Sequence, residues 1–150
     1  METLVEENLF PSKHVEDAAK TAEIKLLESN AREIAQVLCK KEGRKGKNEL
    51  SVTQARRFYN EFHRLDRQLR CYSQKTNKKE AFEKILPHIK LLRARVAFAT
   101  GRKNNPITKN FYIFLDKRIE QITSIEDFQT FLLHFEAVLG FFYFYKNKEA

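Results

Sequence analysis

The 150-residue chain is expected to fold as a compact all-α bundle of about five helices. Three observations predict it. Apolar residues recur at three- and four-residue spacing through most of the length, the signature of one buried helix face. Only four glycines and three prolines are present to interrupt such runs. No stretch alternates apolar and polar residues convincingly enough to make a half-buried strand, and no internal repeat is visible.

The first helix is expected from about Ser12 to Cys39, with Val15, Ala19, Ala22, Leu26, Ala31, Ile34 and Leu38 on its buried stripe. The spacing slips near Asn30, which leaves room for a bend. Residues 1–11 precede it and are expected to be flexible. KKEGRKGKNE (40–49) is then a charged, glycine-containing loop expected to be mobile as far as residue 50. Ser51 opens the second helix, because Ser51-x-x-Gln54 has capping-box spacing. Val52, Ala55, Phe58, Tyr59, Phe62, Leu65, Leu69 and Tyr72 continue it, with Phe58, Tyr59 and Phe62 read as core. Asn77-x-x-Glu80 caps a third helix, for which Pro87 predicts either a kink or a fresh start. Gly101 is expected to close it with a left-handed cap. Asn104-Asn105-Pro106 makes a turn, and a fourth helix carries Phe111, Phe114, Leu115, Ile119 and Ile122. Ser124-x-x-Asp127 caps a fifth, from Ile125 to about Tyr145. Its end, GFFYFY (140–145), is apolar nearly all round, which fits burial in its own core and burial against another chain equally well.

Length suits one domain with a real core. No uncharged apolar run approaches about 18 residues, so no membrane span is expected. The acidic start METLVEENLF lacks the basic and apolar regions of a secretory signal. Cys39 and Cys71 are isolated thiols outside any metal or disulfide pattern, which suits a reducing cytoplasm.

Net charge is +8, and its distribution is more telling than its size. Residues 1–42 carry −3 and residues 111–150 carry −2, while residues 43–110 hold eighteen Lys/Arg against five Asp/Glu. A concentrated basic block favours a polyanionic partner, most often RNA or DNA.

Catalytic patterns are sparse. His14, His63, His88 and His134 are scattered, with no HExxH and no zinc spacing. The pairs Glu16-Asp17 and Glu126-Asp127 fall in helix first turns, where they complement the helix dipole. GRKGK (43–47) lacks the spacer, the Ser/Thr and the preceding strand of a phosphate loop. An enzyme is not expected, nor is a metal or other cofactor.

Binding chemistry is better represented. On the second helix Arg56, Asn60, His63, Arg67 and Arg70 share a stripe, with Arg57 and Arg64 further round. On the third, His88, Leu91, Arg95, Phe98 and Arg102 share another, while Lys90 and Arg93 point elsewhere. Guanidinium suits phosphate because its planar fork makes two parallel charge-assisted hydrogen bonds. The candidate contacts to a phosphate backbone are therefore Arg56, Arg57, Arg64, Arg67, Arg70, Arg95, Arg102 and Lys103. With no strand to present aromatic rings, the grip falls on backbone and not on sequence.

TQARRFYNEF (53–62), LLRARVAFATGR (91–102) and FQTFLLHFEAVLGFFYFY (128–145), in that order, resemble the small helical subunit of type III-A CRISPR effector complexes. The likeness spans roughly residues 30–145. It implies a non-catalytic structural subunit that stacks in several copies, contacts guide RNA and target RNA independently of sequence, and serves antiviral defence. Other subunits of the complex would be its partners. Independently of the resemblance, the apolar end of the fifth helix makes Phe141, Phe142, Phe144 and Tyr145 candidates for a subunit interface or self-association. Arg56 matches the arginine after the capped helix start, and Arg102 the one that closes the third helix. Phe98 stands where the family pattern leads one to expect tyrosine. Beside this reading stand a helical interaction module with a basic face for an acidic protein, and a DNA-binding regulator. The regulator ranks last because no short turn and recognition helix follow the second helix.

Overall fold

The structure is a computed structural model that describes residues 23–149, with side chains to residue 148. Among these residues every regular element is helical. A helical stretch at 23–25 passes through a π-helical turn, Leu26–Asn30, into α1, Ala31–Leu38. The expected slip at Asn30 is thus a π-helical turn, which absorbs the extra residue that the apolar spacing demands. The Ser12 start, Val15, Ala19, Ala22 and the Glu16-Asp17 pair lie outside the described residues.

α2 (Val52–Lys75) begins with the predicted capping box: the Gln54 amide donates to Ser51 Oγ and the Ser51 amide to Gln54 Oε1, each at 3.0 Å. α3 (Lys78–Gly101) starts from Asn77, whose Oδ1 accepts the Glu80 amide at 2.9 Å. It runs unbroken past Pro87, so of the two expectations, a kink or a fresh start, the fresh start does not occur. Pro87 lies on the exposed side, where water can satisfy the carbonyl that proline leaves without a donor. Gly101 is not left-handed either. α3 stops because Arg102 turns extended, at φ −64° and ψ 145°.

α4 (Lys109–Glu120) has no cap from its own Thr108 side chain. Glu42 reaches over from the basic loop instead, accepting from the amides of Lys109 and Asn110 at 2.9 and 3.1 Å. A carboxylate there satisfies free N–H groups and the helix dipole together. In that loop Arg44–Gly46 forms a short 3-10 turn, and Lys45 is left-handed at φ 61°. α5 (Ile125–Glu149) carries Glu126 and Asp127 in its first turn, as expected; the Asp127 amide donates to Ser124 Oγ at 3.1 Å.

α2 packs against α3 and α5, α3 against α4, and α1 against α5. Their shared interior is built on phenylalanine. Phe62, Phe111, Phe114, Phe128, Phe131, Phe135 and Phe142 are all fully buried. Phe135 is the hub, with ring centroids 5.5–6.1 Å from Tyr59, Phe62, Phe111, Phe114 and Phe131. Three of these contacts, to Tyr59, Phe62 and Phe114, are edge-to-face. Such pairs add about 0.5–1.5 kcal/mol each beyond area burial.

Among the buried polar residues, His134 and Arg118 sit against this aromatic interior. His134 Nε2 lies 3.0 Å from Asn30 Oδ1, tying α5 to the π-helical turn. Arg118 of α4 is buried with its guanidinium 5.6 Å from the Phe131 ring.

Candidate nucleic-acid interface

The hairpin of α2 and α3 sets the geometry of the basic surface. Glu61 meets Arg95, and Lys84 lies over the Tyr72 ring at 4.6 Å. As the α2 position falls from 72 to 61, the α3 position rises by the same amount, so the helices are antiparallel in constant register. The start of α2 therefore neighbours the end of α3, and Arg56, Arg57, Arg102 and Lys103 gather at one end of the hairpin.

All eight predicted phosphate-contacting side chains are exposed. Their spacing divides them between two flanks of α2. On the α5 side, Arg56 and Asn60 line a crevice of about 310 Å3 with Tyr59, Glu136, Leu139 and Tyr143. Arg67 and Arg70 continue that stripe along the helix. There the Tyr59 hydroxyl is held above its ordinary pKa, first by burial and then by the Glu136 charge. On the α3 side, Arg57 and Arg64 border Arg95 and Arg102, at helical positions 140–160° round from the buried Phe62.

Charge pairing inside this surface is thin. Glu61 Oε2 accepts from Arg64 at 3.0 Å and lies 3.7 Å from Arg95, so one carboxylate serves two guanidiniums. Arg70 pairs at 3.0 Å with the buried Asp66. Arg56, Arg57, Arg67, Arg102 and Lys103 make no ion pair among the described residues. Among the described residues, the carboxylates that do pair here, Glu61 and Asp66, belong to α2 itself. Exposed pairs of this kind contribute about 0–1 kcal/mol, little enough for a phosphate to displace.

Lys90 and Arg93 point elsewhere, as expected. Lys90 Nζ donates to the Ile119 and Glu120 carbonyls at the end of α4. Burial, with Arg93 nearby, lowers its pKa. Arg93 bonds Asp116 at 2.8 Å, which raises its pKa. Both bind α3 to α4.

Glu61, which helical spacing puts at a border of the arginine stripe, pairs with Arg64 and lies near Arg95. Arg44 and Lys47 were not singled out as phosphate contacts; they line a crevice of about 530 Å3 with Ser51, Asn105 and Pro106 beside the start of α2. Only the general basicity of residues 43–110 hinted at these two cations. GRKGK is not the tail of a strand–loop–helix unit, since it sits inside a short turn closed by the Glu42–Asn48 bridge.

The aromatic end of α5 is divided. Phe142 is wholly buried in its own bundle, which removes it from the interface candidates, since a ring with no exposed surface has none to offer a partner. Phe141 and Tyr145 are half-buried against the core, while Tyr143 and Phe144 are exposed. Leu27, Arg32, Gly140, Phe141, Phe144 and Tyr145 are among the residues lining an open apolar groove of about 660 Å3 there. The α-helix answers the earlier ambiguity by aiming successive rings in different directions.

Among the described residues no group of three His, Cys, Asp or Glu side chains is placed to hold a metal ion. No helix of these residues is long and apolar enough to cross a membrane.

Comparison with the curated proteins and with the solved structures gives no match. Comparison with protein families does: the family described as Csm2 Type III-A matches residues 21–148, nearly the whole chain. The order of capped basic α2, arginine-bearing α3 and phenylalanine-rich α5 is the order of the motifs that suggested this relationship. The chain belongs to the Csm2 family and is accordingly a small structural subunit of the type III-A CRISPR complex.

Proposed function

We propose that this subunit holds the ribose-phosphate backbone of guide RNA and target RNA on the outer surface of α2 and the second half of α3, without reading sequence, as part of antiviral defence. The observation that carries the proposal is the imbalance on that surface: among the described residues, eight exposed cations meet two pairing carboxylates, Glu61 and Asp66. In RNA-guided complexes base pairing supplies sequence recognition, so protein needs only to match backbone charge and shape. Repetition on a shared scaffold raises effective concentration, so weak binding by each copy suffices.

The exposed Tyr143 and Phe144, with the groove beside them, are proposed as the contact to neighbouring subunits. Phe141 and Tyr145 line that groove, and cytoplasmic residence follows from the role.

The test is the binding of unrelated RNA sequences across a salt series. Log affinity is expected to fall with log salt, by roughly 0.7–0.9 for each phosphate neutralised. Arg56→Glu, Arg67→Glu and Arg102→Glu combined should weaken all sequences alike and flatten that slope. Salt-insensitive binding, or wild-type affinity in the triple variant, overturns the proposal. Loss of protein assembly in a Phe144→Ala variant that still binds RNA would place Phe144 at a subunit contact.

A further inference from the structure

We infer that Phe98 is a stacking platform on which one unpaired RNA base rests, while the neighbouring guanidiniums hold the phosphates on either side of it. The inference rests on the backbone-binding role proposed above and adds to it a contact with a base.

Phenylalanine is the main material of this interior, which makes Phe98 anomalous. Its residue is 74% exposed, more than any other large apolar residue described. The cause is its position on α3. Ile89, Leu92, Val96 and Ala99 form the buried face, whereas Leu91, Arg95, Phe98 and Arg102 follow one another outward at spacings of four, three and four residues. Leu91, two steps back along that stripe, is itself 49% exposed. No other ring pairs with Phe98 among the described residues, so its π-face is open.

The surroundings specify what would cover it. Arg95 on α3 and Arg102 just past its end flank it. The antiparallel register puts the Phe58 turn of α2 opposite, with Arg57 on the outward side of that turn. Glu61 is the one carboxylate shown to pair at this seam, already shared between Arg64 and Arg95. An open ring set among surplus cations calls for a partner that brings a flat apolar face and negative charge within a few ångströms of each other. A nucleotide does so in one unit. A protein partner fits less well, because a stable protein interface needs about 800 Å2 on each side and the apolar part here is one ring and one leucine. The second exposed phenylalanine, Phe144, makes the contrast. It sits beside Tyr145 and an apolar groove, the setting of a subunit contact.

Stacking on an aromatic side chain accepts any base, since each has a π-face, so the site preserves sequence independence. It also predicts a preference for an unstacked base over a continuous duplex.

The experiment compares the full-length chain with Phe98→Ala, Phe98→Leu and Phe98→Tyr variants against two probes, a mixed-sequence single-stranded RNA and an oligomer of the same length containing abasic riboses. Phe98→Ala and Phe98→Leu should each weaken binding to intact RNA by roughly 5- to 150-fold, the range for loss of one stacked base. Both should bind the abasic oligomer as the wild type does, with an unchanged salt slope, and Phe98→Tyr should keep wild-type affinity. Equal affinity of Phe98→Ala and wild type for intact RNA overturns the inference. So does retention by Phe98→Leu, which would mean apolar contact without stacking. Equal loss on both probes also overturns it, as does a defect confined to assembly with protein partners. If the wild-type chain binds neither probe, the backbone role itself fails, a result distinct from failure of Phe98 alone.

Discussion

Arginine neighbours phenylalanine both on the outer face of α3 and in the interior, with opposite consequences. On the outer face of α3, Arg95 and Phe98 are both exposed, and the guanidinium keeps its water and shares one carboxylate with Arg64. Inside, Arg118 is 6% exposed over Phe131, and its Nε and Nη2 have no hydrogen-bond partner among the described residues. Burial there lowers the guanidinium pKa to about 10, against the pull of Asp127. The difference teaches that the number of arginines says little about available charge. Water on the outer pair makes its cations exchangeable, whereas the inner cation is spent on the fold.

The largest expected effect lies on the interior side of that comparison. Phe135→Ala removes the hub of the aromatic cluster and should cost about 3–5 kcal/mol in urea unfolding. Phe98→Ala, outside, should shift stability by less than about 0.5 kcal/mol. Comparable losses at the two positions would erase the distinction.

Arg118→Met should raise stability by roughly 1–3 kcal/mol, since a well-packed apolar side chain replaces a buried cation with unmet donors. Arg95→Met, in water, should leave stability unchanged within about 0.5 kcal/mol. Destabilisation by Arg118→Met would mean the guanidinium has a partner of structural worth.

His134 extends the comparison to pH. Burial, and then the Arg118 charge, hold its pKa well below 6.5, so the folded protein keeps it neutral. The unfolded chain takes up a proton near pH 6.5 and the folded one only at lower pH. Stability should therefore be full above that value and decline as pH falls below it, by up to about 1.4 kcal/mol per pH unit. His134→Gln should remove that part of the decline in unfolding measured from pH 7.5 to 5. An unchanged slope would assign it to other groups.

Ser51→Ala, which breaks the capping box at the basic end of the hairpin, should cost about 1 kcal/mol. Chemical denaturation, with RNA affinity intact, would check it.

Much of the fold was legible because its signals are local. The Ser51 and Asn77 caps, the π-helical slip at Asn30 and the acidic first turn of α5 each depend on residues a few positions apart. Misreadings arose where a local rule met a distant neighbour. Of the two outcomes open at Pro87, a fresh start did not occur because its freed carbonyl faces solvent, and Gly101 was not needed as a left-handed cap because Arg102 turns the chain away. Phe142 was placed at an interface for want of knowing which face of α5 the rest of the bundle would cover. Arg118 could have been noticed: with Phe111, Leu115 and Ile122 it continues a four-three-four spacing, an arginine on an apolar stripe.

Sequence alone determined the helical elements, the caps at Ser51, Asn77 and Ser124, and the concentration of cations between residues 43 and 110. Helical periodicity assigns each residue an angle about its own axis, and composition supplies the charge. Only the tertiary structure decided which arginines remain in water, which ring stands uncovered, and that His134 meets Asn30 across 104 positions of chain. Burial is conferred by whatever packs on a face, and that neighbour is specified by the assembled core, not by the stretch that bears the residue.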